Sequence, residues 1–213
     1  MGGEVFEQAS CTGGKRGKRR EAMLCAAHSL FIERGFEHTT LSQIVGRSGG
    51  SLATLYDMFE NKPGLLRALV GERCVGIQSE LDAAIADGRP YDDAIRAIAE
   101  EMLDRFLDPD YIGLFRVVVA QCAGHPDLGQ QIYDSGPAIC QAKSAQYFAT
   151  QIDAGRLAPG DPLEIAKMFF QMVCGDLLSQ LVFGLPVAMS AKQRARHLDF
   201  VLPAFNKAFL RDS

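Results

Sequence analysis

The sequence predicts an all-α protein, and three observations support this fold class. Apolar residues recur at helical spacing along nearly the whole chain. No stretch shows the two-residue alternation between turn signals that marks a β-hairpin. Helix-start signals recur, as in the Asp161-Pro162-Leu163-Glu164 segment, where a capping residue, a first-turn proline and a glutamate follow in order. We expect a flexible basic arm over residues 1–18, a three-helix helix-turn-helix domain over 19–61 and a larger helical domain over 62–213.

The first helix is predicted over residues 19–34, where apolar side chains fall on one face and Gly35 provides a stop. This helix can brace the two short helices that follow it. The fourth helix begins after the Asn61 cap, and its apolar face continues to the Gly-Arg-Pro segment at 88–90. We expect the fourth helix to connect the two domains.

A helix-turn-helix is predicted over residues 39–62. Thr40 opens its first short helix with a capping box, since the Thr40 hydroxyl can accept the amide of Gln43 while the Gln43 side chain returns to the Thr40 amide. Gly49 ends that helix without a side-chain penalty, and Ser51 caps the second short helix. Two short helices joined by a glycine turn have the shape that enters the DNA major groove.

The second short helix has an inward and an outward face. Leu55 and Phe59, four residues apart, point into the small core. The outward side presents Leu52, Ala53, Thr54 and Tyr56. Because no Arg, Asn or Gln lies on this outward side, bidentate base contacts are sparse and packing against thymine methyl groups is what remains. We therefore expect modest specificity for each half-site.

Charge is distributed unevenly along the 213 residues. The net charge is −4, but residues 1–71 hold 9 Lys and Arg against 7 Asp and Glu, whereas the remainder holds 13 against 19. A DNA contact therefore belongs to the amino-terminal third. The basic run at 15–20 can neutralise phosphates or lie along a minor groove, with Lys18 and Arg19 as candidates. A solvated tail is the alternative interpretation of this run.

Composition and motifs exclude several other classes. The apolar and charged fractions, 47% and 23%, are those of an ordinary globular protein. The opening residues lack a signal-peptide core, and the most apolar window, 165–187, is interrupted by charged and amide side chains, so we expect a cytoplasmic protein without a membrane span. The 6 cysteines have neither zinc-site nor secreted-disulfide spacing, which favours buried free thiols, with a redox sensor as the alternative.

The sequence also lacks the motifs of common active sites. It contains no glycine-rich phosphate loop after a strand, no Gly-x-Ser-x-Gly elbow between a strand and a helix, and no His-Glu-x-x-His pair. Its 4 histidines are scattered along the chain. We therefore predict no catalytic residues, no metal site and no cofactor, and conclude that the chain is not an enzyme.

Further helices are predicted over residues 92–107, 111–123, 127–154 with a break at 136–137, 162–183 and 191–210. The helix over 162–183 is apolar on nearly every side, so it has to be covered on every side. The last helix adds another apolar stripe, and little of the chain remains to cover both. We expect a homodimer with a four-helix interface that contains Phe170, Leu177, Leu181, Leu198, Leu202 and Phe205.

The helix-turn-helix region resembles the TetR family of bacterial regulators. The family signature reads approximately G-F-x-x-T-T-x-x-x-I-A-x-x-A-G-V-S-x-G-T-L-Y-x-H-F-x-S-K. The chain matches it without a gap at Gly35, Phe36, Thr39, Thr40, Ile44, Gly49, Ser51, Thr54, Leu55, Tyr56, Phe59 and Lys62. Met58 departs from it, since the family has a histidine there that approaches a phosphate. The remainder of the chain looks like the carboxy-terminal domain of the AcrR and AefR-like branch.

This resemblance implies a DNA-binding regulator, usually a repressor that a small molecule releases from a palindromic operator in double-stranded DNA. It implies phosphate contacts by Thr40, Tyr56 and Lys62, and a groove-facing set of Ser51, Leu52, Ala53 and Thr54. The alternative is a helical ligand-binding or adaptor protein with weakened DNA binding, consistent with Met58 and the neutral outward face.

The resemblance also implies that an effector binds in the carboxy-terminal domain. An apolar or amphipathic molecule is expected there, in a pocket lined by Phe106, Phe115, Cys122, Tyr147, Phe148, Phe169, Gln171 and Met172. Methionine and aromatic residues at helical spacing fit an ordinary core equally well. The set therefore indicates the region of the pocket and does not establish its individual lining residues.

Overall fold

The computed structural model describes residues 14–73 and 75–211, and it confirms the all-α class. Its helices are α1 (Lys15–Arg34), α2 (Leu41–Ser48), α3 (Leu52–Phe59), α4 (Lys62–Arg73), α5 (Val75–Ala86), α6 (Tyr91–Leu107), α7 (Pro109–Cys122), α8 (Pro126–Ser135), α9 (Pro137–Asp153), α10 (Pro162–Cys174), α11 (Leu177–Val182) and α12 (Ala191–Phe209). An isolated antiparallel bridge joins Leu157 to Leu210. Within the described ranges, no helix is both long and apolar enough for a membrane span.

The first helix is longer than predicted. It begins at Lys15, so the basic run at 15–20 is helical. Lysine and arginine are good helix formers, and Gly14 marks the helix start, ahead of the basic residues. The prediction of a flexible arm is therefore wrong for residues 15–18, while residues 1–13 lie outside the described part of the chain.

The first of two hydrophobic cores lies among α1, α2 and α3. Side chains from α4, α7 and α8 complete it, namely Leu65, Leu66, Leu69, Leu114, Leu128 and Ile132. The boundary predicted after residue 61 therefore cuts through a packed unit, because α4 is part of the amino-terminal core. The larger domain contributes α7 and α8 to the same core, so the two domains share a continuous apolar contact.

The second core lies among α5, α6, α9, α10, α11 and α12. Its centre is a triangle of Phe148, Phe169 and Phe205, whose ring centroids are 5.1–5.7 Å apart. Edge-on and tilted rings at these separations are favourable aromatic contacts. This triangle joins α9, α10 and α12 into one packed layer.

The helix predicted over residues 162–183 is interrupted. α10 ends at Cys174 and α11 begins at Leu177, because Gly175 between them has a φ of 51° and a ψ of −128°. Close to this break, His197 Nε2 of α12 donates to the Val173 carbonyl oxygen at 2.8 Å. A hydrogen bond from α12 thus lies at the end of α10, next to the interruption.

Most side chains predicted at the dimer interface belong to the core of their own subunit. The structure buries Leu177, Leu181, Leu198, Leu202 and Phe205. Phe170 is half-buried, with its ring centroid 5.6 Å from that of Phe106. The prediction that the five buried side chains form a face for a partner is therefore wrong, since their own chain already covers them, whereas Phe170 stays a predicted interface residue.

Candidate functional site

The caps predicted for α2 and α3, and the glycine predicted to end α2, are present in the structure. The Thr40 side chain accepts from the Gln43 amide at 3.2 Å, and Gln43 Oε1 accepts from the Thr40 amide at 2.9 Å, which confirms the capping box. Gly49, with a φ of 73°, ends α2. Ser51 Oγ accepts from the Thr54 amide at 3.2 Å and so caps α3.

The two faces of α3 are also as predicted. Leu55 and Phe59 are buried in the first core, with 0% and 4% of their surface exposed. On the other side, Leu52, Ala53 and Tyr56 are exposed and Thr54 is half-buried. The outward side of α3 is therefore open to a large ligand.

A tight turn fixes α3 relative to α4. Glu60 has a φ of 65° and a ψ of −50°, and the Asn61 amide donates to the Phe59 carbonyl at 2.7 Å, which together make a strained γ-turn. Asn61 Oδ1 then accepts from the Gly64 amide at 2.7 Å, as a cap of α4. Gly64 packs so closely on the Phe59 carbonyl oxygen that a Cβ has no room.

Lys62 makes structural contacts, and its phosphate contact stays a prediction. Its ammonium donates to the carbonyl oxygens of Phe36 at 2.8 Å, Glu37 at 3.3 Å and Thr39 at 3.1 Å. It also lies 4.5 Å from the centroid of the Phe36 ring. Because an ammonium has three N–H donors, all three are engaged within the protein. Lys62 joins the loop between α1 and α2 to the start of α4.

The basic first turns of α1 lie beside α3. Arg16 Nη2 is 3.0 Å from Asp57 Oδ2 on α3, and both side chains are largely exposed. The stem of Arg19 passes over Gly50 in the turn before α3, where an added Cβ would lie 3.7 Å from Arg19 Cδ. Lys18 is exposed on the same first turns. The structure thus places positive charge next to the outward side of α3.

The residues predicted to line an effector pocket divide into separate groups. Tyr147, Phe148 and Phe169 are buried in the aromatic centre of the second core. Phe106 and Phe115 lie on either side of Tyr111, with ring centroids 5.0 and 6.2 Å from its own.

Three further predicted pocket residues lie apart from these aromatic groups. Met172 is half-buried against the second core. Cys122 instead packs against the first core, and Gln171 is exposed. Both are therefore wrong as pocket residues, because helical spacing alone did not show which side of α7 or α10 faces the second core.

A buried hydroxyl marks one point in the second core. Among the described side chains, the Tyr147 hydroxyl is buried without a hydrogen-bond partner. Burial raises the pKa of Tyr147 to about 12. The nearby Tyr91 is also buried, but its hydroxyl donates to Asn206 Oδ1 at 3.0 Å. A buried hydroxyl without a partner is destabilising, so Tyr147 can gain by donating to a ligand atom.

Two of the cysteines are in environments that suppress thiolate formation. Burial raises the pKa of the Cys174 thiol to about 12 and also raises the pKa of Cys122. A redox sensor needs an accessible thiol of low pKa. These two thiols therefore have a structural role, and the described residues contain no cluster of metal-ligating side chains.

An exposed, capped short helix beside a basic helix start, built onto a larger helical body, defines the class of helix-turn-helix transcriptional regulators. The particular family follows from two sequence matches. Residues 24–69 match the family described as bacterial regulatory proteins, tetR family, and residues 93–209 match the AefR-like transcriptional repressor, C-terminal domain. The chain belongs to the TetR family, a family of transcriptional regulators.

Individual relatives agree with this family over most of the chain. The HTH-type transcriptional regulator YvkB of Bacillus subtilis is 24% identical over 172 residues, which cover 76% of this chain and 82% of that protein. The solved structure of a TetR-family regulator from Mesorhizobium loti has a TM-score of 0.80 at 21% identity and covers 93% of this chain and 100% of its own. The flavonoid-responsive regulator FrrA has a TM-score of 0.72 at 27% identity, covering 92% and 100%.

Proposed function

We propose that this protein is a homodimeric repressor that binds a palindromic operator through α2 and α3 and leaves it when a small molecule binds the second core. The observation that carries this proposal is the exposed outward side of α3, capped by Ser51 and flanked by the basic turns of α1. A helix amino terminus with exposed amides is suited to a phosphate, and the outward side chains fit a major groove.

The proposed DNA contacts are few and mostly directed at the backbone. Tyr56 is 52% exposed and can donate its hydroxyl to a phosphate. Thr40 is exposed at the start of α2 and keeps a hydroxyl proton to donate, while Lys18 and Arg19 add positive charge. Leu52 and Ala53 supply apolar contacts to the bases. The affinity then comes chiefly from phosphates and from the spacing of two half-sites.

The proposed effector has an apolar body and one hydrogen-bonding group. Tyr147 supports this choice, because its buried hydroxyl can pair with an acceptor on a molecule that packs among Phe148 and Phe169. FrrA, similar over most of the chain, is named for its response to flavonoids, which supports an aromatic effector. The effector has to bind the arrangement that cannot engage DNA more tightly than the competent one.

The proposed dimer face lies at the end of α11 and on α12. Phe183 and Phe200 are 78% and 77% exposed, more than any other large apolar side chain in the described ranges. Val182 and Leu185 beside Phe183 are also exposed. Exposed aromatic side chains on the last helices support packing against a second copy.

Titration of the purified protein against the DNA upstream of its own gene tests the repressor proposal. We expect a complex that prefers this DNA over a scrambled duplex and that weakens as salt is raised. Tyr56→Phe should lower the affinity about tenfold, as expected for one lost hydrogen bond to a charged group. Tyr133→Phe on α8 is the matched control and should leave it unchanged. Absence of any salt-dependent, sequence-preferring complex would favour the adaptor interpretation instead.

A further inference from the structure

An ion pair joins the start of α1 to α3 on the surface proposed to face DNA. Arg16 Nη2 lies 3.0 Å from Asp57 Oδ2, although the two residues are 41 positions apart in the sequence. Their side chains are 75% and 65% exposed. The contact is therefore made at the surface, where both groups remain accessible to a ligand.

Asp57 lies on the outward side of α3. It follows Ala53 by four positions and Thr54 by three, and residues at these spacings lie on one helical face. On the proposed function, this face enters the groove. A carboxylate there is close to DNA phosphates, and it is the only acidic side chain of α3.

We propose that Arg16 is a DNA phosphate ligand that Asp57 holds in the free protein. This inference rests on the proposed function of α3. On binding, the Arg16 guanidinium leaves the Asp57 carboxylate and pairs with a phosphate, so Asp57 acts as an internal competitor that limits the affinity for DNA.

The chemistry of the two acceptors supports this exchange. An exposed ion pair is weak and is screened by salt, so the Arg16 contact to Asp57 is easily given up. A phosphate accepts two parallel hydrogen bonds from a guanidinium, and its contact also releases counterions from the duplex. Arg16 lies on the same first turns of α1 as Lys18 and Arg19, which are also proposed to contact phosphates.

The test measures binding of a short mixed-sequence duplex by the full chain at NaCl concentrations from about 50 to 200 mM. The variants are Arg16→Ala, Asp57→Asn and the double variant. Lys143→Ala and Asp82→Asn are the controls, because this exposed ion pair joins α9 to α5 in the larger domain. Thermal unfolding checks that each variant folds.

We expect Arg16→Ala to reduce the slope of log affinity against log salt by about 0.9, the value of one phosphate contact. Asp57→Asn should raise the affinity about two- to fivefold, which is what an exposed ion pair is worth. In the Arg16→Ala background, Asp57→Asn should give a clearly smaller gain. The control variants should match the wild type.

Two results would overturn the inference while leaving the proposed function intact. One is an Arg16→Ala protein whose salt slope equals that of the wild type. The other is an equal gain from Asp57→Asn with and without Arg16, because Asp57 would then act by its own repulsion of phosphates. If the wild-type protein binds neither this duplex nor its upstream DNA, the proposed function fails as well.

Discussion

Lys62 illustrates, at the scale of single residues, how a basic side chain in a DNA-binding motif can serve the fold. Its three donors pair with carbonyl oxygens of the loop between α1 and α2. The sequence pattern alone placed a positive charge near DNA. It could not show that this charge is occupied, because the carbonyl groups come from residues 23–26 positions earlier.

Replacement of Lys62 by methionine separates these two roles. Lys62→Met keeps the stem on the Phe36 ring and removes the ammonium. We expect the free energy of unfolding in urea to fall by about 1–3 kcal/mol, as for lost hydrogen bonds to a charged group. The salt slope of DNA binding should stay the same. Lys18→Met should do the opposite, so a stable Lys62→Met protein with a reduced salt slope would restore the phosphate role.

The raised pKa of Tyr147 predicts how the stability of the folded protein depends on pH. Its pKa in the folded protein is about 12, above the value of about 10 for a tyrosine in an unfolded chain. Below pH 10 the Tyr147 side chain is neutral in both the folded and the unfolded protein, and the stability that its raised pKa contributes is fully present. Between pH 10 and 12 only the unfolded state ionises, so stability falls as pH rises, by at most about 1.4 kcal/mol per pH unit.

Tyr147→Phe should therefore flatten the alkaline loss of stability. Tyr91 and Cys174, whose pKa values burial also raises, keep part of the slope. At neutral pH the variant should be at least as stable as the wild type, by up to about 2 kcal/mol, because it removes a buried hydroxyl without a partner. Urea unfolding across this pH range is the measurement. Identical alkaline profiles for the two proteins would contradict the prediction.

The junction of α3 and α4 determines, at the scale of elements, how the DNA-facing helix is oriented. A helix of 8 residues is too short to be stable by itself. Its orientation depends on the γ-turn at Glu60, the Asn61 cap and the close packing of Gly64 on the Phe59 carbonyl.

Gly64→Ala tests this junction. An added Cβ has to displace the Phe59 backbone, so we expect the free energy of unfolding to fall by about 1–3 kcal/mol. Gly46→Ala on α2 is the matched control, since its Cβ would enter open space. That control should be neutral or more stable by up to about 1 kcal/mol, because alanine favours a helix. Equal stability of the two variants would exclude a special role for Gly64.

Helix ends were predictable where the sequence carries a local signal. The capping box at Thr40, the Ser51 cap and the Asp161-Pro162 start act over three or four residues, and each is where the sequence placed it. The break at Gly175 was missed, since the apolar periodicity continues across it. The glycine conformation there depends on tertiary packing that includes the His197 contact.

In the larger domain, it was less predictable which side of each helix faces its own core and which faces a partner. An apolar pattern shows that a helix is covered, but not by which chain. Leu198 and Leu202 of α12 were therefore expected at a partner, yet they are buried in their own subunit, while Phe200 between them is exposed. The Arg16–Asp57 pair was likewise not predictable, because it depends on the tertiary position of α1 against α3.

At the scale of the whole molecule, α7 and α8 connect the two hydrophobic cores. Gly113 of α7 allows a close approach to Ile32 of α1, where an added Cβ would lie 2.8 Å from Ile32 Cδ1. His28 of α1 also donates from Nε2 to the Asp110 carbonyl at 3.2 Å. α7 is therefore in direct contact with the helix that braces α2 and α3. On the proposed function, this contact offers a route from the effector-binding region to the DNA-facing helices.

At the scale of the whole molecule, we predict that the protein forms a dimer. Phe200→Glu should convert the protein to a monomer in sedimentation experiments and weaken operator binding more than tenfold, because two half-sites can no longer be held together. Ile85→Glu is the matched control, since Ile85 is a 42% exposed apolar residue on α5. A dimer that persists in a Phe183→Glu and Phe200→Glu double variant would place the interface elsewhere.

The division of α3 into buried and exposed sides has an evolutionary consequence. Leu55 and Phe59 hold the helix in place, whereas Leu52, Ala53 and Asp57 are exposed. Substitutions at such exposed positions usually change stability little. A duplicated gene can therefore acquire a new operator by changing a few surface side chains, and it can keep the same body, partner contacts and folding.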